Sequence, residues 1–355
     1  MSTLKPFIVA RIKRTGPIAL ADYMADCLLN PDHGYYATRD PLGAGGDFIT
    51  APEISQMFGE LIGLALAQAW IDRGCPAPFT LAELGPGRAT LMADILRATA
   101  GVPGFIAAAR ITLIEASPTL RAIQQEKLAA HAVTWADTVT ALPDDAPLFL
   151  VANEFFDALP IRQYIRDGDG WRERQIGAEN DALVFGLSAP QTVAPLSHRM
   201  EDTRDGDLVE RCAPATAIMD EIALRIAKSG GGALILDYGD WRTLGDTFQA
   251  IRDHQPDDPL AHPGLADLTA HVDFEALALG APTLAHSRLT PQGVFLERLG
   301  ITQRANTLGA RLSGTALQTH IAAHRRLTHP DEMGTLFKAI ALTQPGSPAF
   351  PGFSE

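Results

Sequence analysis

From residue 79 onward the chain alternates continuous apolar runs with stretches of helical periodicity. FTLAEL (79–84), ITLIEA (111–116), LFLVAN (148–153) and GALILDYG (232–239) are apolar almost throughout and end in acids, an amide or a turn. Such runs suit parallel strands covered on both faces. Helix-like segments separate them at 90–100, 117–130 and 207–228. In the last, Ile218, Ile222 and Ile226 recur every four residues, and Gly230–Gly232 supply a stop. Strands alternating with helices predict right-handed crossovers and an α/β fold, a doubly wound and mostly parallel sheet.

The flanks follow other patterns. The segment from Met1 to Cys75 reads as helical around one loop rich in glycine and proline, DPLGAGGDFITAPEIS (40–55). A helix is expected from Ala51 to Arg73. Thr50 and Glu53 have capping-box spacing at its start, and Gly74 with Pro76 ends it. Residues 161–187 alternate polar and apolar positions around DGDG, which predicts an added antiparallel hairpin. Four parts result: an N-terminal helical region (1–78), the sheet-forming core with its hairpin (79–240), a largely helical insertion (241–330), and a closing strand with tail (331–355).

Hydrophobic residues make up 46% of the 355 and charged residues 20%, enough for a sizeable core. No run approaches the ~18 apolar residues that would mark a membrane-spanning helix. The first residues have no apolar leader, so a cytoplasmic protein is expected. Cys27, Cys75 and Cys212 form no CxxC pair and suggest neither a disulfide framework nor a zinc site. The net charge of −13 argues against nucleic acid as partner. It suits a basic partner, or simply solubility.

LAELGPGRATLMADIL (81–96) reads as strand, tight turn and helix. Gly85, Pro86 and Gly87 would let the backbone approach a ligand near free N–H groups. Glu115, with Ala116 and Ser117 beside it, ends the next strand, where an acid commonly binds ribose hydroxyls. NAD and S-adenosylmethionine both carry such a ribose. Thr90 stands where a dinucleotide site favours its third glycine, and Glu83 adds negative charge near the turn. An acid there suits a cationic, phosphate-free ligand, so S-adenosylmethionine is the expected cofactor over NAD. Asp137 follows the third strand, where adenine would lie.

LFLVANEFFDALP (148–160) ends a buried run in Asn153, Glu154 and Asp157 with no base nearby. Buried carboxylates are costly unless a cation meets them. Alternatively, they supply negative charge to a helix N-terminus. Tyr238 and Asp240 after the fifth strand, and His271 in DLTAHVDF, are further candidates. His320 and His324 share a helix face, but with no third ligand in sight no metal site is expected.

These segments together resemble the MidA family of class I methyltransferases, which includes a mitochondrial assembly factor of respiratory complex I. The resemblance runs nearly the whole length, through HGYYATRDPLGAGGDFITAPEISQMFGELIG, AELGPGRATLM, IEASPTLRAIQ, VANEFFDALPIRQ, LDYGD, GDTFQAIRDH, DLTAHVDF, TPQGVFLERLGI and MGTLFKAIAL. Where the family has glycine after GPGR, this chain has Ala89.

The resemblance implies S-adenosylmethionine as cofactor and a protein arginine as acceptor, on a core subunit of complex I. It also implies that the fourth strand ends beside the reacting methyl group. Two cations about 4 Å apart repel by roughly 4 kcal/mol at an effective dielectric of ~20, which carboxylates would offset. Glu154 is then the principal clamp on a guanidinium and Asp157 the second clamp or base. Asn153 would orient Glu154 or bond the cofactor. Tyr238 and His271 assist, and Phe155 and Phe156 close the pocket or pack the core. Phe48 and Thr50 would cover the cofactor. A small-molecule methyltransferase and a non-catalytic, cofactor-binding assembly chaperone stay open as alternatives.

Overall fold

Strands β1 (Phe79–Leu84), β2 (Ala109–Ile114), β3 (Val133–Ala136), β4 (Leu148–Asn153), β5 (Gly231–Asp240) and β6 (Phe337–Thr343) build the central sheet. The computed structural model describes residues 4–38 and 49–353. The strand order is β6-β5-β4-β1-β2-β3. All neighbours run parallel except β6, which is antiparallel to β5. This is a Rossmann-like doubly wound sheet whose connections reverse direction between β1 and β4. At such a point the carboxyl ends of neighbouring strands open a crevice.

The unbroken apolar runs follow from burial on both faces. On one face Leu81, Phe149, Val151 and Leu234 pack with Phe58, Ile62, Met92 and Ile95. On the other, Ala82, Leu150, Ala152 and Ile235 pack with Met219, Ile222, Ile226 and Phe274. The isoleucines spaced by four thus form the inner stripe of the helix Ala213–Ser229, as side chains one turn apart must. Gly63 lets two covering helices touch: a Cβ there would lie 2.8 Å from the Ile95 Cα.

Several elements differ from expectation. The helix at 51–73 breaks at Ser55, whose extended backbone (φ −160°) separates Ala51–Ile54 from Gln56–Asp72. Thr50 makes no side-chain cap bond; Ser55 caps instead, accepting the Met57 N–H at 3.2 Å. Glu53 is engaged elsewhere, accepting a hydrogen bond from the Thr90 hydroxyl. Of the stretch 207–228, Leu208–Arg211 is a strand and the helix starts at Ala213. That strand, Ile18–Ala19, Arg162–Asp167, Gly170–Glu179 and Ala182–Leu187 form a five-stranded antiparallel sheet.

The insertion at 241–330 is not largely helical at its start. Gln249–Arg252, Gln255–Asp257 and Asp267–Thr269 form a three-stranded antiparallel sheet before any helix begins at Phe274. Strands of three or four residues hold too few positions for a period-two signal to stand out. Ala250 and Leu268 of this sheet pack with Ile8, Leu20, Tyr23 and Met24 of the N-terminal helices. The two flanking regions thereby wall in the carboxyl edge of the central sheet.

Candidate active site

A cavity of about 630 Å³ opens at that edge. One half is built on the turn after β1. Gly85 and Gly87 take positive φ values of 58° and 52°, a region that costs other residues conformational strain. A Cβ on Gly85 would meet the Phe155 ring at 2.7 Å, so glycine is required there for space as well. Ala89 also adopts positive φ, 57°, with its side chain fully buried. The departure from glycine is thus accommodated in the same backbone conformation.

Glu83 lies beneath this turn, 3% exposed, and its Oε2 atom has no hydrogen-bond partner. Burial pushes its carboxyl up to about 8, with the nearby Glu115 adding to the effect. Glu115 accepts the Ser117 N–H at 2.8 Å and the Gln124 side-chain amide at 3.2 Å. Each of its oxygens keeps capacity for a ligand hydroxyl. Gln124 also donates to the Gly87 carbonyl at 2.8 Å and accepts from the Trp135 indole at 2.8 Å. It thereby fixes the turn, the acid and the third strand relative to one another. With Glu53, Glu83 and Glu115 all lining this half, a pyrophosphate is disfavoured. A ligand with hydroxyls at one end and an ammonium at the other fits the orphaned Glu83 oxygen and the Glu115 carboxylate.

The other half is acidic. Glu154 follows β4 with φ 51°, an unfavourable conformation for a side-chain-bearing residue that often marks functional sites. Its Oε1 accepts the Ala51 N–H at 2.8 Å and the Asn153 amide at 3.0 Å. Burial raises its pKa, partly offset by these bonds and by Arg326. Asn153 Oδ1 and Asp157 Oδ1 are buried without hydrogen-bond partners. Asp157 is pushed well up by burial and by the carboxylates of Asp237, Glu154 and Asp267. Asp237, at the end of β5, is fully buried and accepts the N–H groups of Phe155, Phe156, Asp157 and Tyr238. Glu154, Asp157 and Asp237 make no ion pair among the described residues.

Of the residues expected from sequence, Glu83, Gly85, Pro86, Gly87, Glu115, Ala116, Asp137, Asn153, Glu154, Asp157, Tyr238, His271 and Thr50 line this one cavity. Asp137 pairs with Arg121 at 2.6 Å. Tyr238 and His271 stand edge to face, centroids 5.2 Å apart. Burial, and Lys338 next, lower the His271 pKa and favour the neutral ring. Phe155 faces the cavity while Phe156 is buried in the core.

Ser117 does not reach the cavity lining. It caps the helix Pro118–Lys127, its Oγ accepting the Leu120 N–H at 3.4 Å. Asp240 is exposed and does not line the cavity; its carboxylate accepts the N–H of its neighbour Trp241 at 2.7 Å. Phe48 lies outside the described residues. His324 and His320 bond Thr302 and the Ala305 carbonyl. Sequence reasoning missed Asp237, Gln124, Tyr36 and Asp267. Asp237 and Gln124 sit inside quoted motifs, LDYGD and IEASPTLRAIQ, and their meaning depends on contacts no local pattern reveals.

A family described as "Putative S-adenosyl-L-methionine-dependent methyltransferase" matches residues 61–290. The protein arginine methyltransferase NDUFAF7, mitochondrial, of Danio rerio is 40% identical, over 94% of this chain and 85% of its own. The Homo sapiens protein of the same name is 36% identical, over 94% and 82%. A crystal structure of a Burkholderia thailandensis protein bound to S-adenosyl-homocysteine superposes with a TM-score of 0.82. It is 29% identical, over 98% of this chain and 93% of that one.

The cytoplasmic expectation is overturned, since both named relatives are mitochondrial proteins. No helix among the described residues is long and apolar enough to cross a membrane. By its sequence, its sheet and its glycine turn, the chain belongs to the MidA and NDUFAF7-like family of S-adenosylmethionine-dependent methyltransferases.

Proposed function

We propose that the chain is a protein arginine N-methyltransferase whose acceptor is a core subunit of respiratory complex I. The observation that carries the arginine reading is the group of buried carboxylates at the ends of β4 and β5. Glu154, Asp157 and Asp237 converge there without a cationic partner at ion-pair distance among the described residues. Such a group is costly unless a cation completes it. Arginine keeps its charge and offers five N–H donors in a planar fork. The names of the relatives support the same reading, and the family resemblance supports the complex I acceptor.

When bound, S-adenosylmethionine supplies an electrophilic methyl group on a positively charged sulfur. Glu83 would hold its amino group, Glu115 its ribose hydroxyls, and the turn at Gly85–Gly87 its close backbone contacts. Glu154, oriented by Asn153 and the Ala51 N–H, clamps the guanidinium through paired hydrogen bonds. Fixing one terminal nitrogen in line is largely a proximity effect. Asp157, with one oxygen unpartnered, accepts the N–H proton released as the new N–C bond forms. The product stays cationic, so the clamp persists after transfer. His271 and Tyr238 shape the wall beside Asp157.

The test is transfer of labelled methyl groups to a purified core subunit of complex I, compared with free cationic metabolites. Label on the protein supports the proposal, and label only on metabolites favours the small-molecule reading. Complex I assembly that survives Glu154→Ala while methylation is lost would assign assembly to a separate, non-catalytic role.

A further inference from the structure

The short helix Ala51–Ile54 touches both halves of the cavity. At its start the Ala51 N–H donates to Glu154 Oε1 at 2.8 Å. The first N–H groups of a helix find no partner within it, and Thr50 supplies no side-chain cap. Glu154 therefore caps this helix from β4, 103 residues away in the chain. At the other end, Glu53 Oε1 accepts the hydroxyl of Thr90, the first residue of the helix that follows the glycine turn. Lys127 Nζ donates to the same Thr90 hydroxyl oxygen at 2.6 Å. That contact occupies a lone pair and leaves the one hydroxyl proton for Glu53. Glu53, Thr90 and Glu154 all line the cavity.

We propose that Glu53 is a positioning residue: tied to Thr90, it holds the Ala51–Ile54 turn so that the Ala51 N–H aims Glu154 at the acceptor. This rests on the arginine reading above. Four residues make too short a helix to hold its shape unaided, and extended Ser55 cuts it off from Gln56–Asp72. Its setting must come from neighbours. The Ala51 N–H and the Asn153 amide both fall on Oε1 of Glu154, so together they orient the carboxylate and direct Oε2 to a ligand. A side-chain tie on the cofactor half thus fixes a clamp on the acceptor half.

The full chain, saturated with S-adenosylhomocysteine, is titrated calorimetrically with N-acetylarginine methylamide. Glu53→Ala should weaken the probe by about tenfold, the scale of lost outer support, at unchanged S-adenosylhomocysteine affinity. Glu53→Gln, which keeps an acceptor oxygen for Thr90, should restore wild-type affinity. Thr90→Val should repeat the loss and Thr90→Ser should not. In a Glu154→Gln background, adding Glu53→Ala should cost nothing further, because the tie acts through Glu154.

Probe affinity unchanged in Glu53→Ala and in Thr90→Val would mean that burial of Ala51 and Pro52 alone sets the turn, which overturns the proposal and leaves the arginine reading standing. So would equal losses of probe and S-adenosylhomocysteine, or a further loss in the Glu154→Gln background. A wild type that does not bind the arginine probe overturns both.

Discussion

Asp237 accepts the backbone N–H of Asp157 at 3.3 Å, so one buried carboxylate fixes the chain that carries the next. The same Oδ2 takes the N–H groups of Phe155 and Phe156 at 3.2 and 3.0 Å, and Oδ1 takes that of Tyr238 at 3.0 Å. An amide at this position would turn an NH₂ group toward backbone donors. Asp237→Asn should therefore lose about 2–3 kcal/mol of stability, the cost of leaving buried donors unmet. Urea unfolding measures this, and an unchanged midpoint would contradict the bracing role.

Asp157 is the opposite case. Its Oδ1 has no partner, and its neighbours Asp237, Glu154 and Asp267 repel its charge. Asp157→Asn should keep or raise the melting temperature while methyl transfer falls by about 10²-fold or more, the scale of a lost general base. A variant that loses stability and activity together would point to a merely structural role.

Glu83 gives a pH dependence with a definite sign. Its folded pKa is raised to about 8 from an ordinary 4.5. Its contribution to stability is therefore fully present below about 4.5 and is lost as pH rises through about 8. Binding of an ammonium group at Glu83 requires the carboxylate, so binding releases a proton. S-adenosylmethionine affinity should climb from about pH 6 to about pH 8, by up to roughly tenfold per unit, and Glu83→Gln should flatten the climb. Calorimetry in buffers of different ionisation enthalpy detects the proton directly. Affinity constant across that range in wild type would count against this contact.

Gln124 joins the Gly87 carbonyl, Glu115 and Trp135 through three hydrogen bonds. Gln124→Ala should weaken cofactor binding by about tenfold, comparable to other losses of outer support, while leaving catalysis at saturating cofactor near normal. A fall in kcat with unchanged cofactor affinity would place its role elsewhere.

Legibility from sequence tracked the length of the signal. β1, β4 and β5 are buried along all or nearly all of their length, and β2 over its last four positions. Their apolar runs announced a doubly wound sheet. The cofactor half was legible because glycines and acids there sit at strand ends with fixed spacing. The sheet from Gln249 to Thr269 was not, because strands of three and four residues carry no readable period. Asp237 and Asp267 escaped notice for a related reason. Each is one acid in a short motif, and its role comes from β5 meeting β4 and from the insertion folding back. Thr50 and Glu53 show the converse, a local capping pattern overridden when Glu53 met Thr90.

The most direct measurement of the central claim is amino-acid analysis of protein acceptor after incubation with labelled S-adenosylmethionine, using wild type and Glu154→Gln side by side. Label on the terminal nitrogen of arginine in wild type, and its loss in Glu154→Gln at unchanged cofactor affinity, is the predicted result. Label on lysine or on no protein residue, or equal arginine labelling by both proteins, would contradict the account that these buried carboxylates hold an arginine for methyl transfer.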